Sequence, residues 1–166
     1  TQRPLQVAVN ISPIQFNDPM LFQHIQNKLA KYHLTGQALE IEITEGVLLE
    51  ATEDLKDTLN DIRKAGIGIA LDDFGTGYSS LSYIKDYPIN SIKIDRSFIE
   101  ELNKNKTHTA LVEAMISLAH SLDFHVTAEG IECKEQLAYL KELKCDIAQG
   151  FYLSRPLTAD KVISLL

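Results

Sequence analysis

The chain has 166 residues, 45% of them hydrophobic and 23% charged, which is apolar material for one sizeable core and too little for two. A formal net charge of −7 argues against a sequence-independent grip on DNA or RNA, which needs a basic face, and any phosphate-bearing ligand would need cations to help it bind. Cys133 and Cys145 lie outside any CxxC pattern and no signal peptide or long apolar run is read, so two reduced thiols in a cytosolic protein are expected.

In chain order, a β-rich run at Leu5–Ser12 (LQVAVNIS) comes first. Asp18 then reads as a helix cap with Pro19 at the first helical position, and Leu21, Phe22, Ile25, Leu29 and Tyr32 form one apolar stripe ending near Gly36. A strand at Leu39–Thr44 (LEIEIT) is followed by a helix that carries Leu55, Leu59 and Ile62 and stops at Gly66. Strands are expected next at Ile67–Phe74 (IGIALDDF) and Ser91–Asp95 (SIKID). A helix over Thr107–Leu122 shows Leu111, Met115, Leu118 and Leu122, and His125–Ile131 (HVTAEGI) reads as a strand. Leu137, Leu140 and Leu143 mark a last helix before the run Asp146–Leu153 (DIAQGFYL). Such alternation predicts a mainly parallel α/β sheet covered by helices, either a β/α barrel or an open doubly wound sheet.

Parallel strands covered on both faces should be almost wholly apolar, so polar residues inside these runs carry information. They fall late in each strand: Asn10, Glu42, Asp72 with Asp73, Lys93 with Asp95, Glu129 and Gln149. In barrels and open α/β sheets alike, ligands sit outside the carboxyl ends of the strands. Each residue alone has an ordinary reading, as a turn amide, an outward-facing Glu42 or a solvated Lys93. Taken together they mark a site, because adjacent carboxylates repel unless a cation or proton separates them. Carboxylate and amide oxygens suit Mg²⁺ or Mn²⁺, whereas zinc would call for His or Cys. The histidines fall in or beside helices, or at the opposite end of a strand, and read as surface or packing residues. A carboxylate-rich rim with room for two metals is a known solution for phosphodiester hydrolysis.

The motifs VNIS (Val9–Ser12), EITE (Glu42–Glu45), DDFGTGYSSLSYI (Asp72–Ile84), IKIDRSF (Ile92–Phe98), AEGIE (Ala128–Glu132) and AQGFYLSRP (Ala148–Pro156) run the length of the chain. In order and spacing the chain resembles the EAL-domain phosphodiesterases of bacterial cyclic di-GMP signalling. The resemblance implies a modified TIM-type barrel that hydrolyses cyclic di-GMP to linear pGpG with two metals, Mg²⁺ or Mn²⁺. It implies that Asn10, Glu42 and Asp72 hold one ion, with Asp72 bridging to a second held by Asp73 and Glu129. Lys93 would contact the attacking water and Gln149 would orient water or substrate. Glu45 would steady the loop Phe74–Ser80, and Asp95, Arg155 and Pro156 would touch substrate.

The Glu-Ala-Leu glutamate of that family lies on a strand upstream of VNIS. Glu113-Ala114-Met115 imitates it inside a predicted helix and is not the motif. A complete barrel needs about 250 residues and eight strands, so residues 1–166 are expected to form an N-terminally truncated EAL domain with about six strands. The truncated chain is expected to be inert, with open sheet edges that favour a homodimer or other self-association. The resemblance also implies a cytoplasmic domain in a parent protein, membrane-anchored or not, that carries GGDEF-type or sensor domains. An enzyme is favoured over the alternative of a non-catalytic cyclic di-GMP receptor or protein-interaction module, because every motif position present is intact.

Overall fold

The computed structural model describes residues 5–49, 52–77, 84–102 and 104–164. Six parallel strands run in sequence order across one sheet: β1 (Val7–Asn10), β2 (Leu39–Thr44), β3 (Gly68–Phe74), β4 (Ser91–Ile94), β5 (His125–Ala128) and β6 (Ile147–Ala148). Each connection carries helix or irregular chain over the outer face, and the sheet curls into a half-barrel.

Side-chain alternation sets the two walls of this half-barrel. Ile41, Ile43, Ile69, Leu71, Ile92, Ile94, Val126 and Ala128 occupy the outer wall and are buried under the helices. Each isoleucine buried there is worth roughly 1.5–3 kcal/mol. The alternate positions face the concave side, where they are polar or small. Ser91 donates to Glu40 Oε1 across two strands at 2.9 Å, and a Cβ on Gly68 would meet the Glu40 side chain. The strands are therefore half apolar, and the expectation of almost wholly apolar runs is corrected: the concave wall of a parallel half-barrel holds polar groups that satisfy one another.

The helices are α1 (Leu21–Lys31), α2 (Glu45–Leu49), α3 (Glu53–Lys64), α4 (Arg96–Glu100), α5 (Lys106–Ser121), α6 (Lys134–Glu142) and α7 (Ala159–Ile163). Leu55, Leu59 and Ile62 form the buried face of α3, whose first turn is capped by the Thr52 hydroxyl. Three expectations need correction. Asp18 does not cap α1: it accepts from the Met20 N–H in a turn, and the helix starts at Leu21. On α5 the buried residues are Val112, Ile116 and Ala119, whereas Leu111 and Leu118 are exposed. The last strand shrinks from Asp146–Leu153 to two residues, because beyond Ala148 the chain pairs with the bend after β5: Gln149 N–H donates to Ala128, and Ile131 N–H to Gln149. Gly150 permits that approach, since a Cβ there would lie 2.2 Å from Ile131 backbone atoms.

Both sheet edges are bare of further strands among the described residues. Along β1, Leu5, Val7 and Val9 are exposed, and an apolar groove between this strand and α1 is lined by Val9, Leu21, Ile25, Leu29 and Tyr32. No described helix is long and apolar enough to cross a membrane.

At the amino end of β6, Asp146 fastens three elements. Its Oδ2 accepts from the Val126 N–H at 2.8 Å and lies 3.0 Å from His120 Nε2 at the end of α5, while His125 Nδ1 approaches Oδ1 at 3.8 Å. Burial works against its charge, but the bonds from His120 and Val126 outweigh it and hold the carboxyl below its ordinary range. A lowered value in the folded state stabilises above the unfolded carboxyl's pKa of about 3.9, and that stabilisation is lost as pH falls through the folded value. Asp146→Ala should cost about 1–3 kcal/mol at pH 7, with the gap from the parent narrowing once the pH is taken below the unfolded carboxyl's value of about 3.9. Urea melts at both pH values check this, and an equal gap at each would refute it.

Candidate active site

Adjacent residues of a regular strand point to opposite faces, so Asp72 and Asp73 could not share a site on an unbroken β3. The register between β3 and β4 shifts between Leu71 and Phe74, and Asp73 adopts the left-handed backbone with φ 54°. The Asp73 N–H also donates to Asp72 Oδ1 at 3.1 Å. This bulge re-aims the second carboxylate, and oxygens of Asp72, Asp73 and Glu129 come within 4.8 Å of one another.

Lys93 stands at the centre of the cluster. Its Nζ lies 2.7 Å from Glu42, 3.0 Å from Asp72 and 2.8 Å from Glu129, with 7% of the side chain exposed. Burial pulls its pKa down, but hydrogen bonds to Glu129, Glu42 and Asp72 outweigh that and carry it above the ordinary lysine range. Burial, opposed by Lys93, raises Glu129 above the usual carboxylate range. Asp73 is raised too, by burial first and then by the charges of Asp72 and Asp95. The surplus of negative charge is what a cation would relieve.

Asn10 ends β1 in register with Glu42, so its amide falls on the concave side of the sheet beside the carboxylates. Asp72, Asp73 and Glu129 could together hold a metal ion, and carboxylate and amide oxygens are the donors that hard divalent cations take.

Glu45 serves the neighbouring loop. It opens α2, is buried, and its Oε1 accepts from the Gly75 N–H at 2.9 Å. A Cβ on Gly77 would lie 2.3 Å from Glu45 Oε2, so only glycine admits the carboxylate this close. The loop is described as far as Gly77, and its expected continuation over Tyr78–Ser80 lies outside the described residues.

The remaining expected site residues take up the following positions. Asp95 caps α4, accepting from the Ser97 N–H at 3.0 Å and from its hydroxyl, and these bonds outweigh burial to hold it below the ordinary carboxylate range. Its carboxylate is thus occupied structurally while adding negative charge near Asp73. Gln149 shares a cavity of about 210 Å³ with Glu129, Arg96, Glu132 and Phe151. The Arg155 guanidinium sits 5.1 Å from the centre of the Phe151 ring, and Pro156 is exposed beside it. Sequence reasoning gave no role to Arg96, Glu132 or Phe151. Arg96 pairs with Glu100 and, at 3.2 Å, with Glu132, folding its side chain over Gly130. The available signal was adjacency, since Arg96 follows Asp95 and Glu132 lies three residues beyond Glu129.

Residues 1–156 match the EAL domain. The chain belongs to the EAL-domain family. Over 158 residues it is 37% identical to the Pseudomonas aeruginosa bifunctional diguanylate cyclase/cyclic di-GMP phosphodiesterase MucR, covering 95% of this chain and 23% of that protein. The PaMucR phosphodiesterase in complex with c-di-GMP superposes with a TM-score of 0.89 at 38% identity, over 95% of this chain and 64% of that one. Klebsiella pneumoniae BlrP1, in a manganese/cy-diGMP complex, gives 0.84 at 30% identity, over 91% and 39%. This EAL domain thus spans about a fifth of the length of the curated relatives it matches.

Glu45→Ala in this EAL domain should free the Gly75 amide and weaken Mn²⁺ retention, with excess metal restoring occupancy. Hydrogen exchange at Gly75 and a Mn²⁺ titration test this. An unshifted half-saturating concentration would count against the loop role.

Proposed function

We propose that this domain, within the protein that carries it, hydrolyses cyclic di-GMP to linear pGpG with two divalent ions, Mg²⁺ or Mn²⁺. The observation that carries the reading is the convergence of Asp72, Asp73 and Glu129 oxygens on one point beside buried Lys93 and Glu42. A bulge with a left-handed Asp73 is a costly arrangement, roughly 1–3 kcal/mol, of the kind that persists where function requires it.

The substrate class is taken from the relatives, among them the PaMucR phosphodiesterase in complex with c-di-GMP, and charge and shape support it. A chain of net charge −7 binds a doubly charged cyclic dinucleotide only through local cations. Arg96 and Arg155 are set on the rim beside the carboxylates. The 210 Å³ cavity offers a carboxylate at Glu132, a guanidinium at Arg96 and the Phe151 ring. Guanine presents two N–H donors on one edge and the O6 and N7 acceptors on another, and such a base suits that trio. Asp95, Arg155 and Pro156 then flank the ligand on the same rim.

In the reaction, the oxygen of a water adds to phosphorus and the bond to the 3′ oxygen breaks. A 5′-phosphate and a free 3′-hydroxyl remain, which is pGpG. Bound divalent ions lower the pKa of water and neutralise charge on the phosphoryl oxygens. Asn10, Glu42, Asp72, Asp73 and Glu129 would hold them. Lys93 holds the attacking water and favours its anionic form, and Gln149 orients water or phosphate from the cavity wall. Glu45 fixes the loop after Asp73 and so keeps the second carboxylate aimed inward. The parent would be a cytoplasmic or membrane-anchored protein with GGDEF-type or sensor domains, and would self-associate.

Because Asp72 would serve both ions, Asp72→Asn should abolish nearly all metal-dependent hydrolysis of cyclic di-GMP in the parent protein while the fold is kept. Near-normal turnover, followed by chromatography of pGpG, would sink the two-metal assignment. Lys93→Ala should lower kcat with little change in cyclic di-GMP affinity. If calorimetry shows affinity falling in proportion to rate, Lys93 is a binding residue instead.

A further inference from the structure

We propose that Lys93 is the resident counter-cation of the metal-free site, and that loading divalent ions releases it for its work on water. The inference rests on the phosphodiesterase reading for the identity of the ions. It deepens that reading by making the activation of Lys93 conditional on metal.

An ammonium has three N–H donors. Lys93 contacts three carboxylates, Glu42, Asp72 and Glu129, at 2.7, 3.0 and 2.8 Å. With one donor directed to each, none is left for a water or a phosphate. The partners come from β2, β3 and the residue after β5, so one side chain of β4 ties four strands together through the concave face.

Four carboxylates, Glu42, Asp72, Asp73 and Glu129, would otherwise repel one another in a setting poorer in water than the surface. One ammonium offsets only part of that charge, which leaves the site attractive to further cations. Two divalent ions would balance the four carboxylates, and the ammonium would become the surplus charge. The ions and Lys93 therefore compete for Glu42, Asp72 and Glu129. Each contact that metal withdraws from Lys93 frees an N–H that can turn to the attacking water. Lys93 would then hold these carboxylates together until metal loads, and would be armed only when metal is present.

The test compares Lys93→Met and Lys93→Met/Glu129→Gln with the parent, in the full-length protein that carries this chain. Melting is followed in EDTA and Mn²⁺ binding by calorimetry. Lys93→Met should melt below the parent in EDTA and bind Mn²⁺ about tenfold more tightly, since a like charge has left the ions' neighbourhood. The double variant, which has also lost one carboxylate, should regain much of the EDTA melting temperature. A single variant that folds only with Mn²⁺ supports the proposal. Equal melting in EDTA overturns it, as does weaker Mn²⁺ binding by the single variant, or failure of the double variant to recover. Absence of Mn²⁺ binding in the parent would refute the two-metal reading, while the EDTA melts still decide whether Lys93 is the counter-cation.

Discussion

A β-strand cannot aim two consecutive side chains at one point, and the site exists because the chain breaks that rule once. The break is local. Between Leu71 and Phe74 the pairing with β4 slips, Asp73 takes a positive φ, and both carboxylates reach the concave side. Everything nearby supports that irregularity. Phe74 is buried again immediately after it, Gly75 takes φ 97°, and a Cβ at Gly75 would strike Met115 and Phe98. The turn is thus wedged between α4 and α5 on one side and Glu45 on the other, and a geometry that a free peptide would abandon is over-determined by packing.

The half-barrel supplies the other requirement, a wall on which polar groups from separate strands converge. Outer-wall isoleucines fix each strand against the helices, so the inner side chains inherit defined positions. Toward the amino ends of the strands this wall carries Glu40 bonded to Ser91, and at the carboxyl ends it carries the Lys93 cluster. The two levels differ in what they leave unspent. A neutral hydroxyl answers the lower carboxylate at little electrostatic tension, whereas three upper carboxylates share one ammonium and a fourth, Asp73, lies beside them. Chemistry collects at the upper level because the sheet's own residues cannot neutralise it.

The strands and the gathering of Glu42, Asp72 and Glu129 about Lys93 were legible in the sequence because both are written in local alternation: IEI, IALDD and IKID place charges between residues that must be buried. Helix α5 was less legible. Its apolar residues populate more than one face, so Leu111 and Leu118 are as plausible on pattern as Val112 and Ile116, and only packing against β4 and β5 chooses between them. The true start of α1 was hidden because Asp18 and Pro19 satisfy the statistics of a cap while building a turn. The bulge was visible only as a puzzle, two adjacent aspartates, since its resolution depends on Glu45, Phe98 and Met115, which lie distant in sequence. Arg96 and Glu132 pair across Gly130, and no periodicity announces a contact of that kind.

The EITE stretch shows how closely the two duties are spaced. Glu42 lies within β2 and points inward at Lys93, while Glu45, three residues on, has left the strand and starts α2. Had the strand continued, Glu45 would point away from the inner face that Glu42 shares, because the separation is odd. The switch from strand to helix at that residue turns its carboxylate toward the Gly75 amide instead. One carboxylate is therefore placed by strand geometry to meet cations, and its neighbour by helix geometry to hold the backbone that carries Asp73. The Gly75–Gly77 turn directly follows the bulge, so the bond from Gly75 to Glu45 and the aim of the second carboxylate are mechanically coupled.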